Sequence, residues 1–332
     1  MIDPSWTGMA RAELAGQVGD LRQLASVRRI VLDEGSERGV RTLAFSTGGG
    51  LDFWVFSDRS FDIGPLWWGG MPIAWQGPDG FASPALMDAE RWNGHGFAQG
   101  LGGLLVTAGL EHIRQPGDGH PLHGRLPFTP GRLLAYGEDW NHPDGPILFC
   151  EGEIVLTQPG GGGYRMRRRI EAPVGGRTLR LHDRIEGLST EEQPLAMLYH
   201  MNFGFPLIGE GTTATLRDGT TVLPTIEAVE ADRTFFNCVE ANDPSGTARC
   251  IVTCPGEAHG PTRRLFVDFD AEAMPWLQIW RDPRPGRRIL GIEPATSERL
   301  ANGTNGPGPT LKPGEEMRFG FDLILDETTS ER

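Results

Sequence analysis

The chain has 332 residues and a formal net charge of −13, long enough for one large β domain or two ordinary ones. The acidic balance argues against nucleic acid or an anionic membrane as the main partner, because both reward a basic surface. Its four cysteines, Cys150, Cys238, Cys250 and Cys254, form no paired zinc-site spacing and read as reduced, structural thiols.

Residues 6–24 carry Met9, Leu14, Val18, Leu21 and Leu24 at helical spacing, which predicts one amphipathic helix. No charged segment followed by an apolar core opens the chain, and no apolar run reaches the ~20 residues of a membrane span. A cytoplasmic enzyme is therefore expected. From residue 25 onward short β-type runs at 27–32, 42–46 and 51–56 alternate with Gly-rich turns, as in an antiparallel sheet. The segment Asp58-Arg59-Ser60-Phe61-Asp62-Ile63-Gly64 follows, and its charged pair forms either a salt-bridged turn or the wall of a pocket. Trp67, Trp68, Trp75 and Trp92 come next in Gly/Pro-rich sequence, where flat rings serve packing more often than sugar faces.

Residues 102–112 read as a small-residue strand ending in Glu111 and His112, and Pro121-Leu122-His123-Gly124-Arg125 places a second histidine in a tight turn. His112, His120 and His123 lie close in sequence, but their spacing fits no standard ligand pattern, so no metal is expected. Strands are predicted at 147–157, 164–172 and 178–186, with turns at 160–163 and 173–176. Arg165, Arg167, Arg168 and Arg169 face Asp183, Arg184 and Glu186 across a strand pair and read as a solvated, salt-bridged surface. Strands at 212–223 and 249–254 follow, and 227–243 reads as acidic and irregular.

Between them, Leu195 to Leu207 alternates like a strand. Leu195, Met197, Tyr199, Met201, Phe203 and Phe205 would share one face, and Ala196, Leu198, His200, Asn202 and Gly204 the other. A polar pair inside an apolar strand needs partners or a task. Near the C-terminus Trp276, Gln278 and Trp280 share a face opposite Leu277 and Ile279. Glu293 shares its face with the small Gly291 and Ala295, which leaves open space above the sheet, and Pro294 holds it extended. A last strand is expected at 317–325.

His123 in its Leu-His-Gly context, His200 and Glu293 occur in that order, and with the DRSFDIG, LYHMNFGFPL and GIEPAT segments the chain resembles the galactose mutarotase-like superfamily, the aldose 1-epimerases. The likeness is greatest to a branch of unknown function and spans roughly residues 23–325. It implies an all-β, antiparallel β-supersandwich at 25–327 behind a helical segment at 1–24, as a monomer or homodimer. It implies a cofactor-independent isomerase that interconverts sugar anomers, with Glu293 as base, His200 as acid and His123 orienting the substrate. The substrate would be a small sugar, neutral, acidic or modified. Arg59 and Arg125 would bind its hydroxyls or an anionic group, with Asn202, Gln278 and Trp280 beside it. The family's Asn-Arg pair before its first histidine motif is replaced here by Glu111-His112. Two other readings use the same cleft: a non-catalytic carbohydrate-binding protein, and an aldose–ketose or C2 isomerase aided by a metal on the three histidines.

Overall fold

The structure, a computed structural model, describes residues 5–117, 119–158, 162–227, 234–256 and 260–328. Every paired strand in it is antiparallel. A five-stranded sheet runs in chain order through Ser26–Val31, Arg41–Ser46, Leu51–Phe56, Asp62–Trp68 and Met71–Pro72. A nine-stranded sheet has Glu316–Thr328 near its centre, between Thr178–Gly187 and Thr262–Asp270. A second five-stranded sheet carries the candidate site. Its order is Phe235–Glu240, Trp276–Asp282, Ile289–Ala295, Ala196–Phe203 and Leu105–Leu110. The all-β, antiparallel sandwich expected from the sequence is the observed architecture.

Strand alternation explains how the site sheet sits. Met197, Tyr199, Met201 and Phe203 on one strand, with Leu277, Ile279, Leu290 and Ile292 on its neighbours, are fully buried in the main core. That core is shared with inward residues of the nine-stranded sheet, and the Tyr199 and Phe321 rings meet at 5.2 Å between centroids. The opposite face of the site sheet is then free to carry polar groups.

Arg168 pins the three large sheets together. Its Nε and Nη2 donate to the two Asp183 carboxylate oxygens at 2.8 and 2.7 Å, and Nη1 donates to Asp62 at 3.0 Å and to the Ser60 carbonyl. Nη2 also reaches Thr107 Oγ1, and the Tyr199 hydroxyl donates to Asp183 at 2.8 Å. All these groups are buried. The expected solvated face is thus half right. Arg165, Arg167 and Arg169 pair with Glu186, Glu153 and Glu151 at the surface, but Arg168 has the opposite parity and points into the core.

Several boundaries differ from expectation. The N-terminal helix covers only Arg11–Ala15, with a 3₁₀ turn at Leu21–Gln23. Gly8, Gly16 and Gly19 interrupt the run, and of the predicted apolar stripe only Leu14 is buried. The single strand at 212–223 splits into Thr213–Leu216 and Thr221–Leu223 around Asp218-Gly219, whose glycine has φ +90°. The segment read as irregular at 227–243 contains the strand Phe235–Glu240, and its residues 228–233 lie outside the described ones, as do residues 160 and 161 of the turn predicted at 160–163. Thr262–Asp270 is a strand that the sequence reading left out. Phe205, expected on the inner face, is 65 % exposed because its strand ends at Phe203.

Arg168→Ala leaves Asp62 and Asp183 buried without their counter-charge. It is expected to lower the unfolding free energy by about 3–5 kcal/mol in a denaturant titration. Arg167→Ala, one residue away on the wet face, should change it by roughly 0.5 kcal/mol or less. Equal effects at the two positions would refute the parity assignment.

Candidate active site

The outer face of the site sheet forms the floor of a cavity of about 200 Å³. Register brings the floor together. Gln278 pairs with Glu293 and Trp280 with Gly291 across adjacent strands. On the other side Leu198 pairs with Ala295 and Met201 with Ile292, a register that sets His200 opposite Glu293. His200 Nε2 lies 3.3 Å from Glu293 Oε1, and the Gln278 amide donates to Oε2. The open space expected beside Glu293 is filled by its own carboxylate: a Cβ on Gly291 would lie 2.6 Å from Glu293 Oε1. Gly291 therefore serves by lacking a side chain, since its φ is not in the left-handed region.

Aromatic rings wall the cavity. Phe97 and His123 meet at 4.6 Å, His123 and His200 at 5.6 Å, and His200 and Trp280 at 5.6 Å between centroids. His123 sits in the left-handed region at φ 61°, a conformation held by main-chain bonds from its N–H to Arg114 O and from Gly109 N–H to its carbonyl. Its Nδ1 is 2.9 Å from the Ile113 carbonyl, which can only accept. Nδ1 therefore carries the proton and Nε2 is an acceptor.

Burial sets the electrostatics. It raises the Glu293 carboxyl above the ordinary range, and the charges of His200 and Arg114 with the Gln278 amide offset only part of that. Burial also holds His123 well below the usual imidazole range, with His200 adding to the effect, so His123 is neutral. His200 Nδ1, Gln278 Oε1 and Glu293 Oε1 are buried without hydrogen-bond partners. The His200–Glu293 approach is thus a close contact whose alignment leaves hydrogen-bonding capacity on both sides, as in active sites that tighten on substrate.

Of the residues expected at the substrate, His123, His200, Glu293, Gln278 and Trp280 line this cavity. Arg59, Arg125 and Asn202 are placed elsewhere. Arg59 is buried and donates to the carbonyls of Gly100 and Gly102. Arg125 is held by Glu111 at 3.0 Å and by Glu90. Asn202, on the His200 face, is covered by residues 101–103 and donates to the Leu101 and Gly103 carbonyls. Trp67, Trp68, Trp75 and Trp92 do not line the cavity either. His112 and His120 stack on each other at 5.5 Å, with His112 Nε2 at the Gln115 carbonyl, while His123 turns to His200. The three histidines therefore do not converge.

The sequence reading missed Arg114, Arg287 and Arg299, all on the cavity wall. Arg114 was within reach, two residues beyond the Glu111-His112 pair that departs from the family pattern. Arg287 and Arg299 lie in loops without periodicity and gave no signal.

The raised Glu293 carboxyl has a consequence for stability. The protonated form is favoured in the native state, so its contribution is fully present below the unfolded pKa and is lost as pH rises through the native one. Glu293→Gln removes that charge at similar shape. It should raise Tm by about 2 °C at pH 7, with the gain shrinking toward pH 4. A lower Tm than wild type at pH 7 would mean that the fold stabilises the carboxylate.

The fold recurs in known structures. A Klebsiella pneumoniae protein provisionally named an aldose 1-epimerase superposes with a TM-score of 0.76 at 20% identity, covering 92% of this chain and 86% of that one. A galactose mutarotase-like protein from Clostridium acetobutylicum gives 0.61 at 16% identity, over 91% and 98%. Galactose 1-epimerase from Lactobacillus acidophilus gives 0.53 at 12% identity, over 91% and 98%. These likenesses establish the galactose mutarotase-like fold. Among curated proteins no sequence match is found. A family model described as a domain of unknown function, DUF4432, matches residues 37–325, most of the chain, and the protein belongs to that DUF4432 family.

Proposed function

We propose that the protein is a sugar 1-epimerase that needs no cofactor, with Glu293 and His200 as its acid–base pair. The observation that carries this reading is the 3.3 Å approach of His200 Nε2 to Glu293 Oε1 on the cavity floor, with hydrogen-bonding capacity left on both groups. The C1 hydroxyl and the ring oxygen of a pyranose are both bonded to C1, so two adjacent groups can serve them together. Glu293 takes the C1 hydroxyl proton while His200 donates to the ring oxygen as the C1–O5 bond breaks. The open-chain aldehyde turns about C1–C2 and recloses on its other face, with the two groups exchanging roles. Each such transfer typically contributes ~10²–10⁴-fold. The carboxyl raised by burial is the stronger base for this task. His123, neutral and with Nε2 as an acceptor, receives a hydrogen bond from a sugar hydroxyl, and Trp280 offers an apolar wall.

The test is anomer exchange of a panel of aldoses, followed by saturation-transfer NMR. Glu293→Gln and His200→Ala should each lower kcat by about 10²-fold or more, and unchanged exchange in both would remove these roles. The rate of the wild type should fall on the acid side as Glu293 is protonated, at a higher pH than an ordinary carboxylate would give. Solvent deuterium should not enter carbon, because anomerisation moves only oxygen-bound protons, and label at C2 would select the aldose–ketose or C2 isomerase instead. Sugar binding without exchange would select the non-catalytic carbohydrate-binding protein.

Gly291→Ala separates site geometry from fold. The new methyl displaces the Glu293 carboxylate, and misplacement by about 1 Å costs on the order of 10²-fold in rate. Tm should stay close to wild type. A variant with full activity would show that the carboxylate position is not what matters.

A further inference from the structure

The cavity is basic in a protein that is acidic as a whole. Arg114, Arg287 and Arg299 line it, against the single carboxylate of Glu293. Arg287 is already paired, with Nε 3.1 Å from Asp282. Arg114 and Arg299 have no carboxylate within salt-bridge distance among the described residues. Arg114 is 3 % exposed and is held by the Ser297 carbonyl, with a weak contact to that of Ile113, and its Nε is buried without a partner. Arg299 lies over the Phe236 ring at 4.6 Å, and its main-chain N–H reaches Cys238 Sγ at 3.5 Å. Burial pushes the Arg114 guanidinium down to about 10, eased by Cys238 and Glu293 and worsened by Arg299.

Two guanidinium groups on the wall of one small cavity, one of them buried and without a carboxylate partner, are costly unless a ligand supplies the counter-charge. Hydroxyls of a neutral sugar can accept from one such group but do nothing for the repulsion between two. Planar guanidinium forks match oxyanions, carboxylate and phosphate alike.

Resting on the epimerase reading, we propose that the substrate is an anionic sugar, whose carboxylate or phosphate binds between Arg114 and Arg299 on the Ser297 side of the cavity. The anion completes the charge balance, and the reacting C1 end lies over His200 and Glu293.

The experiment compares anomer exchange of glucose and galactose with that of their uronates and 6-phosphates. At least one anionic class should exceed its neutral parent by about tenfold or more in kcat/KM, with the advantage shrinking between roughly 0.01 M and 1 M salt. Which class leads tells carboxylate from phosphate. Arg299→Gln should cut the anionic-to-neutral ratio about tenfold, and Arg299→Lys, which keeps the charge, should retain part of it. Neutral sugars turned over as well as both anions, or a ratio unchanged in Arg299→Gln, would overturn the proposal. If no sugar is exchanged at all, the epimerase reading fails, and calorimetry with the same probes decides the anion subsite alone. Salt-sensitive preference for an anionic sugar upholds it, and equal or weaker binding than the neutral parent defeats it.

Discussion

The structure depends on one buried cation. Arg168 reaches from the nine-stranded sheet to Asp62 of the first sheet, while Thr107 and Tyr199 of the site sheet join the same network. With both carboxylates inside, the guanidinium is satisfied in three directions, and such networks fix one arrangement of the elements they join. Tyr199 precedes His200 and points to the opposite side of the same strand. The network therefore sets the height of the cavity-floor face from behind. It also explains the DRSFDIG segment, one of the three that carry the family resemblance: Asp62 and Arg59 act as scaffold, since neither lies on the cavity wall.

In front of that strand the rule of polar satisfaction is relaxed. Nearly all buried polar atoms in native proteins have partners. Among the described residues six buried side-chain atoms lack one; four of them, His200 Nδ1, Gln278 Oε1, Glu293 Oε1 and Arg114 Nε, belong to residues of the same small cavity, and the other two are Arg59 Nε and Asn202 Oδ1. Unspent hydrogen-bonding capacity in a walled space is what a polyhydroxylated ligand would use. The aromatic rings around it hold the polar groups apart from bulk water, which strengthens each electrostatic contact.

The charge of the cavity is opposite to that of the molecule. A surface of net negative charge repels anions at long range, yet Arg114 and Arg299 lie on the wall of a concave, low-dielectric space where their field is focused. Local arrangement, and not overall charge, sets what the cavity attracts. The acidic composition still bears on large polyanions, which meet the whole surface.

The sequence by itself determined the strand texture, the faces of their strands on which His200, Gln278, Trp280 and Glu293 lie, and the small residue at position 291 on the Glu293 face, because alternation in a strand is a local property. It also placed the resemblance that sets His123 in the site. The same parity rule separates Arg168 from Arg165, Arg167 and Arg169 within the basic run. What only the tertiary structure decided is which polar side chains are free. Arg59 is consumed by carbonyls near Gly100, Arg125 by Glu90 and Glu111, and Asn202 by the chain that crosses its face, all partners remote in sequence. Arg114 and Arg299, unmarked by any period, come to the cavity because loops after two adjacent-but-one strands of the site sheet fold over the same edge, where the Arg114 side chain meets the Ser297 carbonyl. A side chain's partners are fixed by strand register and loop path, and neither is encoded in the residues that share its neighbourhood along the chain.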